Sequence, residues 1–252
     1  MTALEGVLLA VAGLASGIAN SVAGGGSLIS FPALLWAGYP AVSANVTNSV
    51  SLWPGYLSSV GPYRDDLAAQ RQRVIPLAIT GSLGGLVGTV LLLVAPADVF
   101  DAIVPYLVMV AVLLLAVQPR VAEIVRRRAR TDRAEHHSVQ LHVSLFLAAT
   151  YGGYFGGGLG VILLAVLGIF LADDLSKLNG LKNALSLTIN TIALIGFGIF
   201  GPVAWIAVAV MGPASMVGGV LGSRLAKRIS ARTLRWAVMA WGTAVAIRLL
   251  IG

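Results

Sequence analysis

Two runs of three glycines, Gly24 to Gly26 and Gly156 to Gly158, each interrupt a long apolar segment of this chain. In lipid, a broken helix leaves backbone groups without partners, which is tolerated only where neighbouring protein or a water-filled cavity satisfies them. The runs lie 132 residues apart, in corresponding places of two halves. Paired interruptions of this kind favour one enclosed polar site to which both halves contribute.

The composition places these segments in a membrane. Hydrophobic residues make up 58% and charged residues 11% of the 252 residues, with a mean hydropathy of +0.90. A soluble domain could not bury so much apolar surface. The chain has no cysteine, and its three histidines, His136, His137 and His142, leave a metal site only as a minor alternative. We therefore predict no metal and no cofactor, and a location in the plasma or inner membrane as a multi-pass protein.

The predicted fold is all-α: a polytopic helical membrane protein with two inverted-topology repeats, at 1–118 and 139–252, joined by a basic cytoplasmic linker at 119–138. Each repeat begins with a Gly-broken helical hairpin, at 3–38 and at 139–171, whose second arm is too short to span the bilayer. Three transmembrane helices then follow in each repeat. They are predicted at about 42–61, 74–94, 98–118, 174–199, 203–223 and 232–251. The apolar N-terminus lacks a basic n-region, so we expect a retained segment and not a signal peptide.

The repeat is visible in paired glycine motifs and in the distribution of charge. Gly84-Gly85-x-x-Gly88 matches Gly218-Gly219-x-x-Gly222 at an offset of 134, and such small-residue faces predict close helix packing. If each half crosses the membrane an odd number of times, the basic loops 61–73, 119–138 and 224–235 all lie on the cytoplasmic face and both termini lie outside. This distribution explains the arginine-rich linker better than a nucleic-acid partner does.

A polar stripe along the span 174–199 contains the chemistry of the predicted site. Asn179, Lys182, Asn183, Ser186 and Asn190 follow helical spacing and share one face. An intramembrane lysine costs about 2.5–3.5 kcal/mol on insertion scales, so it needs a partner. No acidic residue lies at a comparable depth, and an anionic substrate would compensate the charge. The alternative is that Lys182 extends its ammonium group to the surface.

The first half contributes a second group of predicted substrate-binding residues. Polar side chains begin its matching span, at Asn45, Thr47, Asn48 and Ser51, and three of these share a face. The helix starts after the glycine runs, at Ser27 to Ile29 and at Leu159 to Val161, should present unpaired N–H groups to the same cavity. The runs Gly24-Gly25-Gly26 and Gly156-Gly157-Gly158 would let a ligand approach the backbone. The alternative is that these glycines serve helix packing alone.

These residues resemble a known family. The segment GIANSVAGGGSLISFPALLWAGYPAVSANVTNS is similar to the first-half signature of the TauE/SafE sulfite exporter family, and GGYFGGGLGVILLAVLG with LNGLKNALS resembles its second half. The resemblance covers essentially the whole chain. It implies permeation or export of a small sulfur-containing anion, such as sulfite or an organosulfonate. The chain departs from the family's small-Gly-Thr-Ser stretch at 45–49, where that glycine is missing.

Three classes of function compete on the sequence. A secondary carrier or permease for a small anion accounts for the polar stripes, whereas an anion channel, or a permease for another small organic anion, would differ in gating or in cargo. An intramembrane enzyme lacks support, since no Ser/His or Asp/Asp pair lies at depth and the HExxH motif is missing. The predicted partners are a small anionic substrate and the lipid bilayer, with homo-oligomerisation left open.

Overall fold

The computed structural model describes residues 2–22, 24–129, 138–171, 173–225 and 231–251. They form an all-α bundle with no β-strand among them, as the sequence predicts. The helices of the first half are α1 (Ala3–Val22), α2 (Ser27–Trp36), α3 (Ala41–Val60), α4 (Arg64–Ala69), α5 (Arg71–Val94) and α6 (Ala97–Ala129). Those of the second half are α7 (Ser138–Tyr154), α8 (Leu159–Phe170), α9 (Leu175–Phe200), α10 (Trp205–Leu225) and α11 (Ala231–Ile251).

The predicted spans agree with these bounds with two exceptions, which are an additional helix between α3 and α5 and a longer helix α6. The loop 61–73 contains a short 3₁₀ turn and the helix α4, which the sequence analysis did not predict. Asp65 and Asp66 lie in the first turn of α4, where negative charge favours a helix start. Helix α6 continues into the predicted linker 119–138, whose residues 130–137 lie outside the described part of the chain.

Five helices in the described part of the chain are long and apolar enough to cross a membrane, namely α1, α5, α6, α9 and α10. The central helix α3 is not among them because of its asparagine, serine and threonine side chains. Eleven of its twenty residues are buried, and it packs against α1, α2, α9 and α10. Other helices therefore shield its polar surface from lipid, as the cost of exposing polar groups to hydrocarbon demands.

Each half begins with the predicted hairpin. Helix α2 returns along α1, since a Cβ on Gly26 would overlap the carbonyl oxygen of Ser16, while Trp36 lines the same groove as Leu8. Helix α8 likewise returns along α7, where Leu159 packs against Gly152. At about 15 Å, the ten residues of α2 cannot cross the hydrocarbon core.

The first helix of each half packs against a helix of the other half. Helix α1 packs along α10, and α7 packs along α5. A Cβ on Gly218 would overlap the carbonyl oxygen of Leu14, and one on Gly84 would overlap that of Phe146. The matched glycine motifs therefore lie where the first helix of the other half crosses them at backbone distance, and the prediction of close packing is confirmed.

The corresponding helices α3 and α9 run in opposite directions. Trp53 Nε1 donates a hydrogen bond to Thr191 Oγ1 (2.8 Å), and Asn183 Nδ2 donates to the Ser59 carbonyl (3.4 Å), so α3 and α9 are antiparallel. The paired helices α1 with α10, and α7 with α5, are parallel. These directions support the inverted repeat, whose orientation in a bilayer stays a prediction.

One end of the bundle is basic. Arg73 at the start of α5 forms an ion pair with Asp173 just before α9, and Arg235 of α11 donates to Gln118 of α6 (2.9 Å). The starts of α5 and α9 therefore meet, and the start of α11 lies beside α6. Val125, near the end of α6, packs against Gly168 near the end of α8, which places the end of α6 at the same end of the bundle. Asp98, at the start of α6, lies at the other end.

Candidate anion-binding site

The two helix breaks meet inside the bundle beside Lys182. A Cβ added to Gly160 would lie 3.3 Å from the Cα of Gly24 and 3.7 Å from the Cδ of Lys182. Gly24 has a φ of +79°, a left-handed conformation that favours glycine. Three residues that are distant in sequence are thus in contact. They are Gly24 in the first break, Gly160 at the start of α8 and Lys182 on α9.

Lys182 is buried without a counter-charge. Its side chain is 6% exposed, and within the described residues it forms no hydrogen bond and no ion pair. The ion pairs of that part of the chain involve arginines at the basic end, such as Arg73 and Arg126. Burying an ion without a counter-charge costs several kcal/mol. A bound anion would therefore stabilise the positive charge of Lys182 inside the bundle.

The predicted stripe on α9 divides into buried and partly exposed parts. Asn183 and Ser186 are buried together with Lys182. Asn179, one turn nearer the basic end, is half-buried and donates to the carbonyl of Leu175 (2.9 Å). Asn190 Nδ2 donates a hydrogen bond to the carbonyl of Ser186 (2.8 Å). The structure therefore groups Lys182 with Asn183 and Ser186.

The first break is held by two residues that the sequence analysis did not single out. Asn20 Oδ1 accepts a hydrogen bond from the Gly26 amide (2.8 Å), and the Tyr56 hydroxyl lies against the side chains of Ser27 and Asn20. In the sequence, Asn20 could have been recognised as a polar residue in an apolar helix just before the glycine run. Ser27 is buried here.

The expectation of unpaired N–H groups at both helix starts is wrong for most positions. The amides of Leu28 and Ile29 donate to the carbonyls of Gly25 and Gly26 (3.1 and 2.9 Å). In α8, Leu159 and Val161 donate to Gly156 and Gly158 (3.2 and 2.9 Å). Each break satisfies these amides with a tight turn of its own. Within the described residues, the Gly160 amide has no such bond.

The middle glycines of the two runs contact apolar side chains. A Cβ on Gly25 would lie 3.0 Å from Leu115 Cδ2, and one on Gly157 would lie 2.6 Å from Phe155 Cε1. Tyr151 donates its hydroxyl to the Gly157 carbonyl (2.6 Å). The flanking residues Gly156 and Gly158 have φ values of +77° and +76°. The contacts of Gly25 and Gly157 are those expected of glycines that serve helix packing alone. Gly24, in contrast, lies beside Gly160 and Lys182.

The four predicted residues of α3 are buried, and the side chains of three of them bind other segments. Asn45 Nδ2 donates to the Tyr154 carbonyl at the end of α7 (2.9 Å), and Thr47 Oγ1 accepts from the Ala204 amide before α10 (2.9 Å). The Oδ1 of Asn48 accepts a hydrogen bond from the hydroxyl of Ser30 on α2, and Ser51 Oγ has no partner in the described part of the protein.

Asn45 and Thr47 thus satisfy backbone groups at a helix end and in a loop, which periodicity could not reveal. Within the described ranges, no hydrogen bond joins these α3 residues to Lys182. No group of three or more potential metal ligands occurs there either.

Comparison with known proteins defines the class. The chain is 29% identical over 252 residues to a probable membrane transporter protein ORF9 of Sinorhizobium sp, covering 96% of this chain and 91% of that protein. It is 28% identical to a probable membrane transporter protein of Haemophilus influenzae, covering 86% and 84% of the two chains. With the probable membrane transporter protein YfcA of Escherichia coli K12, the values are 30% identity and 90% and 80% coverage. The protein is a multi-pass membrane transporter.

The family follows from the sequence as a whole. Residues 9–249 match the family described as Sulfite exporter TauE/SafE, and the chain belongs to that family. The resemblance noted in the glycine segments is confirmed. No solved structure matches this chain.

Proposed function

We propose that this transporter moves a small sulfur-containing anion, such as sulfite or an organosulfonate, across the plasma membrane, and that Lys182 supplies the charge that binds it. The observation that carries the proposal is the buried Lys182 ammonium, which has no ion pair among the described residues and lies beside the junction of two broken helices. A bound anion would compensate the cost of burying this charge.

The neighbouring groups suit a compact oxyanion. Asn183 and Ser186 are buried on the same face of α9 and are able to donate hydrogen bonds to oxygens. Gly160 lies close to the Lys182 side chain, and its lack of a side chain lets the backbone of Gly24 approach it. A single ammonium group matches a monoanion or a partly protonated dianion.

The alternative functions are a channel, a permease for another small organic anion and an intramembrane enzyme. A channel would share the binding groups and differ in gating, and a permease for another small organic anion would differ in the shape of the cavity. An intramembrane enzyme requires a nucleophile hydrogen-bonded to a base, and within the described residues Lys182 forms no hydrogen bond with the Ser186 hydroxyl.

The test is transport by purified protein in proteoliposomes. We expect saturable uptake of sulfite or a sulfonate, accelerated by the same anion on the opposite side, as exchange by a carrier requires. Sulfate, thiosulfate and carboxylates serve as the comparison set. Flux that rises linearly with concentration without counter-exchange would indicate a channel. Uptake of carboxylates alone would contradict a sulfur-containing cargo, and a chemically altered product would identify an enzyme.

A further inference from the structure

The basic end of the bundle contains an open pocket of about 680 Å³ between the starts of α5 and α9. Its charged and amide-bearing lining residues are Gln70, Arg71, Gln72, Arg73, Asp173 and Lys177. Three cations face one carboxylate, and that carboxylate is already paired with Arg73. Arg71 and Lys177 therefore give the pocket an excess of positive charge.

The surrounding backbone adds to this field. The long helices α5 and α9 both begin at the pocket, and the N-terminus of a helix carries about half a positive charge. Gln70 donates its amide to the carbonyl of Asp66 (3.2 Å), which leaves its buried Oε1 without a partner among the described residues. This oxygen is able to accept a hydrogen bond from a protonated oxyanion or from its water.

The pocket lies nearer the basic end of α9 than Lys182 does. Lys177 precedes Lys182 by five residues of α9, or about 7.5 Å along the helix axis. Between the two levels, Tyr63 packs against Gly180, where a Cβ would lie 3.1 Å from the tyrosine Cβ. The pocket is much larger than a small oxyanion, so it has room for an anion with bound water.

We propose that this pocket is a vestibule that concentrates soluble oxyanions at the basic end of the transporter before they reach Lys182. The inference rests on the proposed function and adds a second, outer subsite to it. A cleft with one sign of charge raises the local concentration of a counter-ion and its association rate by 10-fold or more, with a strong dependence on ionic strength. The vestibule therefore acts on capture of the anion and not on its passage through the bundle.

The experiment measures sulfite transport in everted membrane vesicles, which expose the predicted cytoplasmic end. The double variant Arg71→Gln with Lys177→Gln should raise KM about tenfold at low ionic strength, with kcat unchanged. The difference should vanish at about 1 M salt, where screening acts over roughly 3 Å. The charge-preserving pair Arg71→Lys with Lys177→Arg should restore the KM. The matched control Arg224→Gln removes an exposed charge outside the pocket and should leave KM unchanged.

The outcomes separate the vestibule from the transport function. If wild-type protein transports the anion and the double variant keeps the wild-type KM, the vestibule is refuted and the proposed function stands. If wild-type protein shows no anion transport at all, the proposed function itself fails. A change in KM that occurs in liposomes containing anionic lipid and disappears in purely zwitterionic liposomes would assign the pocket to a lipid headgroup and overturn the proposal.

Discussion

At the scale of the residue, the ammonium group of Lys182 is buried where no side chain of the described residues provides a compensating charge. Lys182 lies beside the backbone of Gly160, Asn183 and Ser186 are buried on the same helix, and the ion pairs of the described residues lie at the basic end. A lysine that served stability alone would be expected to have a carboxylate partner, because an unpaired buried charge destabilises a fold. This difference gives a direct test of its role.

Replacement of Lys182 should separate binding from stability. Charged hydrogen bonds contribute about 1.5–3 kcal/mol, so Lys182→Met should weaken sulfite binding by roughly one to two orders of magnitude in calorimetric titration. Lys182→Arg should give an intermediate affinity, since a planar guanidinium does not replace a compact ammonium. The Met variant should melt at the wild-type temperature or above, because an unpaired charge has been removed.

The control is Arg120→Met, which removes an exposed charge at the end of α6 and should leave the affinity unaltered. Wild-type affinity of Lys182→Met would show that the lysine takes no part in binding. A Met variant with both weaker binding and a lower melting temperature would point to a structural role.

At the scale of the element, glycines determine how closely the first helix of each half approaches a helix of the other half. Both matched motifs place a glycine against a carbonyl oxygen of the partner helix, so a methyl group has no space without moving the helix axis. Backbones in contact maximise the van der Waals packing that holds transmembrane helices together. These glycines position α1 and α7, and thereby the two breaks that follow α1 and α7.

Alanine substitutions in the two motifs should be similarly destabilising. Gly218→Ala and Gly84→Ala each force a Cβ onto a backbone carbonyl, of Leu14 and Phe146 respectively, and overpacking typically costs about 1–3 kcal/mol. Thermal unfolding in detergent should show a lower melting temperature for both variants. Gly61→Ala is the matched control, because a Cβ there meets nothing within 4 Å. Equal melting temperatures for all three variants would refute the role of close packing.

At the scale of the whole molecule, helix directions and charges agree on one arrangement in the membrane. The described arginines of the basic segments, Arg73, Arg126 and Arg235, lie at the end where α5 and α9 begin, and acidic Asp98 lies at the opposite end. Cytoplasmic loops carry an excess of lysine and arginine, so the basic end is predicted to face the cytoplasm, with both termini outside.

Cysteine labelling tests this topology in a chain without native cysteines. Cysteines placed at Arg126 and Arg224 should react with a membrane-impermeant maleimide only from the cytoplasmic side, and one at Asp98 only from outside. Thr131 and Ser230 are equivalent sites in the predicted loops, although they lie outside the described residues. Labelling of the Arg126 and Arg224 positions from opposite sides would contradict the inverted repeat.

The sequence by itself determined the helices, the membrane class and the existence of two breaks. Its predicted spans lie close to the observed bounds of α3, α5 and α9, because apolar segments and glycine interruptions are local properties of the chain. It also singled out Lys182, since the cost of a charge in lipid depends on depth along one helix. Helix α4 was missed because its six residues are too few to show a helical periodicity.

Only the tertiary structure decided which groups meet. Gly24 touches Gly160, Asn45 binds the carbonyl of Tyr154, and Gly25 packs on Leu115. Each of these contacts joins residues far apart in sequence, so no local pattern encodes it. The α3 asparagines stay predicted substrate ligands, and only the packing shows that Asn45 also donates to the backbone carbonyl of Tyr154 at the end of α7. Buried polar groups must find partners wherever the packing of helices places them, and that packing is a property of the whole chain.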